Sequence, residues 1–257
     1  MSDKLNQYKT IAAYYDFKGD IYRANAYRKA IKERSTHLRL IDTADNQFKI
    51  YLALSKIVGA GPSTIRAWIK DKIYTLADLR SRVRDGYKIT TMQRYGIKYY
   101  NDFQQPILRS TVEKIGNDII RYLGNGIIVG SYRRGATSLK DIDILTLSDK
   151  PLDNKTLPIH IVTNGQQKQT IIYMHQQRAH RVDILRTTPL ESPTALFYFT
   201  GSKDFNKRVR GLAKQQGYTL SEHGLFDARG KRVPLTSERD IFNKLKINYV
   251  TPSRRVS

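Results

Sequence analysis

Apolar and polar positions recur with two different periods along the 257-residue chain, and the change falls near residue 125. Up to about Tyr122 the apolar residues return three and four positions apart, the spacing of a helix that buries one stripe. Ile11, Ala12 and Tyr15, then Tyr27, Ala30 and Ile31, predict two or three short helices over residues 1–50. From Tyr51 the segment YLALSKIVGAGPSTIRAWIKDK reads as an apolar helix, a glycine hinge at Gly59 to Gly61, and a second helix opening at Pro62. Ile65, Trp68 and Ile69 supply its buried stripe, so the unit is a helix-hairpin-helix.

Beyond residue 125 the pattern shortens to runs bounded by turn residues: GIIVGS at 126–131, DIDILTL at 141–147, HIVTN at 160–164, TIIYMH at 170–175 and HRVDILR at 180–186. Runs of this length and composition predict strands of one mixed or antiparallel sheet. Helical spacing returns in SPTALFYF and NKRVRGLAKQQ. The predicted fold class is α+β, with an all-helical N-terminal part followed by a mixed sheet with helices and a small α+β C-terminal part. Segment boundaries are expected near residues 50, 125 and 190.

Charge narrows the partner. Lys and Arg number 45 against 23 Asp and Glu, a formal +22, with +4 over residues 1–50, +7 over 51–125 and +11 over 126–257. A basic excess spread through all the folded segments suits a long track of phosphate contacts rather than one basic tail. Zero Cys excludes disulfide scaffolds, thiolate metal sites and cysteine nucleophiles. No apolar run reaches the roughly 20 residues of a membrane span, and MSDKLNQYKT has no secretory core, so an intracellular protein without membrane contact is expected.

Candidate chemistry sits in GSYRRGATSLKDIDIL. Gly130 and Ser131 are expected to close a strand, and strand alternation puts Asp141 and Asp143 on one face while Ile142 and Ile144 point to the core. HRVDILR repeats the pattern, with Arg181, Asp183 and Leu185 opposite Val182 and Ile184. Three convergent carboxylates hold two divalent cations, the arrangement that carries nucleotidyl transfer. Ser131, Arg133 and Arg134, between the glycines at 130 and 135, suit phosphate oxygens. The backbone of Gly59, Ala60 and Gly61, at a helix start, suits a phosphate without reading a base.

These motifs resemble the family X DNA polymerases of the nucleotidyltransferase superfamily, the polymerase beta branch most closely. The resemblance runs from about Tyr51 to Arg255 through SKIVGAGPSTIRAWI, QRYGIKYYNDF, GSYRRGATSLKDIDIL, HRVDIL, LFYFTGSKDFNKRVRGLAKQQGYTL and SERDIFNKLKINYVTP. It implies a shortened lyase-like domain over 1–50, a helix-hairpin-helix DNA-binding subdomain over 51–125, a catalytic palm over 126–190 and a thumb-type nucleotide-selection subdomain over 191–257. It implies two Mg²⁺ ions, replaceable by Mn²⁺, on Asp141, Asp143 and Asp183, with Arg181 orienting Asp183. By the same resemblance, Gly130, Ser131, Arg134 and the backbone near Lys140 hold a nucleoside triphosphate. Tyr198 and Phe199 pack under its sugar and disfavour a ribose 2′-hydroxyl, Gly201 and Ser202 form a tight turn, and Gly201 and Asn206 join the nucleotide site. Lys203 and Arg210 approach DNA, and a monovalent cation sits near Ser55, Ile57 and Ala60. Lys207, Arg208 and Lys214 are expected on a solvated face.

The implied function is template-directed filling of short gaps in DNA repair, without proofreading. The substrates are dNTPs and gapped or nicked double-stranded DNA, and the protein is expected to be a monomer. A template-independent 3′-end nucleotidyltransferase and a non-catalytic DNA-binding scaffold are the rivals. RANAYRKAI resembles part of the lyase domain, yet no glycine hairpin and lysine follow it, so Lys29, Lys32 and Lys49 are the remaining Schiff-base candidates and lyase activity is doubted. Pro106 stands where the family carries a triphosphate arginine, with Arg109 nearby, and Lys203 where it carries an acidic residue.

Overall fold

The computed structural model describes residues 2–255, which divide into two compact units, one ending at Gln104 and the other starting at Gln105. The first is all helical: α1 (Ser2–Lys18), α2 (Ile21–Lys32), α3 (Asn46–Leu54), α4 (Pro62–Lys70), α5 (Leu76–Arg84), α6 (Thr91–Lys98) and α7 (Tyr100–Gln104). Side chains close the helix starts: Asp20 and Asp45 accept from the first free N–H groups of α2 and α3, and Thr75 with Asp78 and Thr90 with Gln93 form capping boxes. α1 and α2 bury Tyr8, Ile11, Ala12, Tyr27 and Ala30 against each other. A second core gathers Phe17 and Phe48 with Ile65, Trp68 and Ile97. The predicted helix-hairpin-helix is therefore α3 and α4, and the first helix starts at Asn46 rather than Tyr51 because Asp45 caps it there.

The second unit runs β1 (Ile107–Leu108), α8 (Arg109–Leu123), β2 (Ile127–Ile128), α9 (Gly130–Arg133), β3 (Ser138–Leu139), β4 (Ile142–Thr146), β5 (Ile159–Asn164), β6 (Lys168–His175) and β7 (Arg178–Arg186). It continues with α10 (Ser192–Thr200), α11 (Lys203–Gln215), β8 (Thr219–Ser221), β9 (Gly224–Phe226) and α12 (Glu238–Lys244). The main sheet has the order β2-β4-β7-β6-β5, with only the β4–β7 pair parallel. Ile142, Ile144, Val182 and Ile184 bury one face beneath Val112, Ile115 and Ile119 of α8. On the other face Leu145 and Leu185 pack with Val129 and Ala195 of α10. The contact boundary puts α8 with the sheet, because its apolar stripe is the lid of that core. A third core joins Phe197, Phe205, Val209, Ile241 and Phe242.

One local expectation fails. Gly130 and Ser131 do not close a strand; β2 is two residues long and Gly130 opens the helical turn α9. Gly130 has φ +59°, a left-handed backbone that ends strand pairing.

Candidate active site

β4 and β7 lie side by side in register, with Asp143 opposite Asp183, and Asp141 precedes β4 by one residue. Since Ile142, Ile144, Val182 and Ile184 are consumed by the α8 core, the carboxylates all fall on the opposite face. That face opens into a cleft of about 1320 Å³. Ser131, Arg134 and Lys140 line it near the carboxylates Asp141 and Asp143; Tyr198, Phe199, Gly201 and Asn206 line it from α10 and α11.

Burial first, and then the charges of Asp141 and Asp183, push the Asp143 carboxyl up to about 7, against the partial relief of Arg181 and Lys168. The carboxylates are arranged around cations of the chain itself. Arg181 donates to Asp141 and stands 3.8 Å from Asp183. The resemblance pairs Arg181 with Asp183; its guanidinium lies within ion-pair range of Asp183 and hydrogen-bonds Asp141. Asp183 also receives the Lys168 ammonium at 2.9 Å and the Thr170 hydroxyl at 2.7 Å, both from β6. Among the described residues no three His, Asp or Glu side chains converge at the spacing of a metal ligand set. Two of the three expected ligands, Asp141 and Asp183, are paired with Arg181 and Lys168, which offset like charges that otherwise repel. The donor set nonetheless fits a hard divalent cation: it is all carboxylate oxygen, and Asp143 keeps its proton to about neutral pH unless added positive charge displaces it.

Gly130 has a structural role that the sequence reading assigned to phosphate approach. A Cβ there would stand 2.1 Å from Asp143 Oδ2, so the missing side chain is what admits the carboxylate. The two arginines of YRRG diverge. Arg134 donates to the Thr200 carbonyl at 2.6 Å and faces the cleft, its pKa lowered by burial against the pull of Asp143 and Asp141. Arg133 turns away and forms a two-pronged bridge to Glu238 of α12 at 3.0 and 3.1 Å. Glu238 also accepts from Arg255, which is fully buried. Burial works against the Glu238 charge, but the hydrogen bonds from Arg255 and Arg133 outweigh it and hold this carboxyl below the usual range. The amide N–H of Ser202 donates to the Arg255 carbonyl at 3.2 Å, so the cation cluster braces the turn at Gly201 and Ser202, whose peptide bond is cis.

Four cations of α11 face the cleft. Lys203 and Arg210, expected to approach DNA, line it, and so do Lys207 and Lys214, expected on a solvated face. Steps of four, three and four residues keep all of them on one stripe about 16 Å long. Arg208 lies off that stripe, over the Phe205 ring. Asn206 is buried, lines the cleft and donates to the Tyr198 carbonyl at 2.7 Å.

In the helical unit, Gly59 has φ +89° and packs against Met92, while its carbonyl accepts from Gln93 at 3.1 Å. The Ala60 N–H is taken by the Ile57 carbonyl at 3.1 Å, and Gly61 is the open N-cap of α4. Of the expected phosphate seat over Gly59 to Gly61, the Ala60 N–H is therefore already engaged within the turn. Lys29, Lys32 and Lys49 all lie on the exposed surface.

Comparison with known proteins finds similarity in both units. The profile of the DNA polymerase beta thumb matches residues 195–256, and that of the fingers domain of DNA polymerase lambda matches residues 53–104. The chain is 27% identical to rat DNA polymerase lambda over 96% of its own length and 55% of that protein. These matches make the chain similar to family X DNA polymerases in both of its units. It is also 26% identical to human DNA-directed DNA/RNA polymerase mu, over 78% of the chain and 51% of that protein. The repair DNA polymerase X of African swine fever virus is 29% identical over 54% of the chain and 86% of the viral protein. The chain spans about half the length of the lambda and mu relatives. The thumb match covers α11 and α12, which carry the cation stripe and Glu238; the fingers match covers α4 to α7.

Sequence reasoning missed Thr170, Lys168, Glu238, Lys207 and Lys214. The spacing of Lys203, Lys207, Arg210 and Lys214 carried the signal for the last pair. Nothing local to β6 or α12 signals the other three, because their partners lie on elements brought close only by folding.

Proposed function

We propose that this protein is a template-directed DNA polymerase of repair type that adds a nucleotide to the 3′ end at short gaps in double-stranded DNA. The observation that carries the reading is a cleft lined by Asp141, Asp143 and the α11 cations, with Asp183 directly opposite Asp143 on the next strand. Asp141, Asp143 and Asp183 would hold two divalent cations, Mg²⁺ or Mn²⁺. When bound, these supply activation of the attacking hydroxyl and neutralisation of the leaving pyrophosphate.

The chain's own groups do the rest. Arg134, anchored on the Thr200 carbonyl, presents its remaining N–H groups to triphosphate oxygens, with Ser131 and Lys140 beside it. Arg181 lies between two of the carboxylates, donating to Asp141 and standing 3.8 Å from Asp183. Tyr198 and Phe199, edge to face at 5.2 Å, form an apolar floor under the nucleotide sugar. The stripe from Lys203 to Lys214 follows a strand of DNA through its phosphates, which suits binding without sequence preference. Gly61 and the turn from Ser55 to Ala60 form a second DNA contact, with a monovalent cation as its partner. The active species is a monomer. In this reading the four segments bounded at residues 50, 125 and 190 act as lyase-like domain, DNA-binding subdomain, palm and thumb. Among the described residues no helix is long and apolar enough to cross a membrane.

Primer extension with Mg²⁺ on a one-nucleotide gapped duplex, beside single-stranded primer and an Asp141→Ala control, tests the reading. Insertion of only the complementary nucleotide on gapped DNA, lost in the control, is the expected result. Growth on single-stranded primer would replace it with a template-independent transferase, and absence of any Mg²⁺-dependent product with a DNA-binding scaffold.

A further inference from the structure

Asp183 is gripped from the neighbouring strand as well as held by its own. Thr170 lies directly opposite it in the β6–β7 register and donates its hydroxyl to Oδ1 at 2.7 Å, with both residues buried. That length belongs to a charge-assisted O–H to carboxylate bond. Thr170 is itself fixed, because its N–H donates to the Thr163 hydroxyl at 3.1 Å. The register shift in β5 between Ile161 and Thr163 is what brings Thr163 opposite Thr170. Asp143, Asp183, Thr170 and Thr163 thus form one row across four strands.

The two oxygens of Asp183 have unlike partners. Oδ1 is held by a buried hydroxyl on a side chain with restricted rotation. Oδ2 is held by Lys168, whose side chain is more than half exposed and free to swing into solvent. A carboxylate otherwise turns easily about its last bond, since that torsion has broad, two-fold wells.

We infer that Thr170 is a positioning residue for Asp183. It locks the rotation of the carboxylate so that Oδ2, and not Oδ1, exchanges Lys168 for a divalent cation. This rests on the polymerase reading above. A valine at position 170 would match the threonine in shape, bury equally well and leave Oδ1 without its donor.

The test uses the full chain as Thr170→Val and Thr170→Ser. Mn²⁺ affinity is measured by electron paramagnetic resonance titration without DNA, and single-nucleotide insertion kinetics on the gapped duplex. The expected result is a loss on the order of 10–100-fold in Mn²⁺ affinity and in kcat for the valine variant, the range for removal of a group that orients a metal ligand. The nucleotide KM should stay as in the parent, and serine should restore both losses. Valine behaviour equal to the parent overturns the inference while leaving the polymerase reading intact. Equal losses in the serine and valine variants, or a kcat loss accompanied by a changed far-ultraviolet circular dichroism spectrum, reduce Thr170 to a structural role and overturn it as well. A folded parent that neither binds Mn²⁺ nor extends the primer overturns the polymerase reading itself, and the inference with it.

Discussion

Asp143→Asn should stabilise the protein in the absence of divalent cations, and only above mildly acidic pH. In the folded chain the Asp143 carboxyl holds its proton up to about 7, against an ordinary value of 3.8. Below about pH 4 it is protonated whether folded or unfolded and contributes nothing. Between these limits the folded state binds the extra proton, so stability falls as pH rises, and above about 7 the full penalty is in place. The gap between 3.8 and about 7, at roughly 1.4 kcal/mol for each pH unit, amounts to about 4 kcal/mol. Asparagine occupies the same space without the charge. Its advantage over aspartate should therefore be near zero at pH 4, grow through pH 5 and 6, and level off above pH 7. Urea unfolding in EDTA, followed by far-ultraviolet circular dichroism at several pH values, measures it. Trp68, the single tryptophan, lies in the helical unit, so its fluorescence identifies that unit's transition and separates it from the one of interest. A difference between variant and parent that is constant from pH 4 to 8, or that favours aspartate at pH 8, would refute the reasoning. Mg²⁺ should narrow the difference at pH 8 by stabilising the parent more than the variant.

Gly130→Ala forces a Cβ to within 2.1 Å of Asp143 Oδ2 at a φ of +59°, so it should cost about 1–3 kcal/mol in urea unfolding and displace the carboxylate; a loss of insertion rate larger than the loss of folded fraction separates the two effects. Glu238→Ala strands the buried Arg255 and leaves Arg133 without its bridge, and should cost about 3–5 kcal/mol in the same assay. Because the Glu238 carboxyl is held below the usual range, its contribution is complete above the ordinary glutamate value of 4.5 and disappears as pH falls through the lowered one; a variant and parent that differ equally at pH 3 and pH 7 would contradict this. Lys214→Ala should lower the slope of DNA affinity against salt by about 0.9 on a log–log plot, the value of one released counterion, and an unchanged slope would take Lys214 off the DNA track.

Much of this protein was legible in the order of its residues. The two-residue spacing in DID and RVD put the carboxylates on one face and Ile142, Ile144, Val182 and Ile184 on the other, and the structure repeats that division. Backbone geometry alone makes successive strand residues point opposite ways, so no partner strand has to be known. Helical spacing likewise located α4, α10 and α11, and the length and turn signals located β5, β6 and β7. The motifs across Tyr51 to Arg255 pointed to family X before any fold was known.

Other features belong to the tertiary structure. That β4 and β7 are parallel neighbours, setting Asp143 against Asp183 forty residues away, follows from how β5 and β6 return beside them. The same pairing hands Asp183 its donors Thr170 and Lys168, places Arg181 on Asp141 and brings Asp143 against the bare Cα of Gly130. It also decides that of two adjacent arginines Arg134 faces the cleft while Arg133 reaches Glu238, more than a hundred residues on. The physical reason is one of range. Alternation and helical period are set by each residue's own backbone and survive in any fold, whereas charge pairing and pKa depend on distances of a few ångströms between segments that only the burial of the shared core brings together.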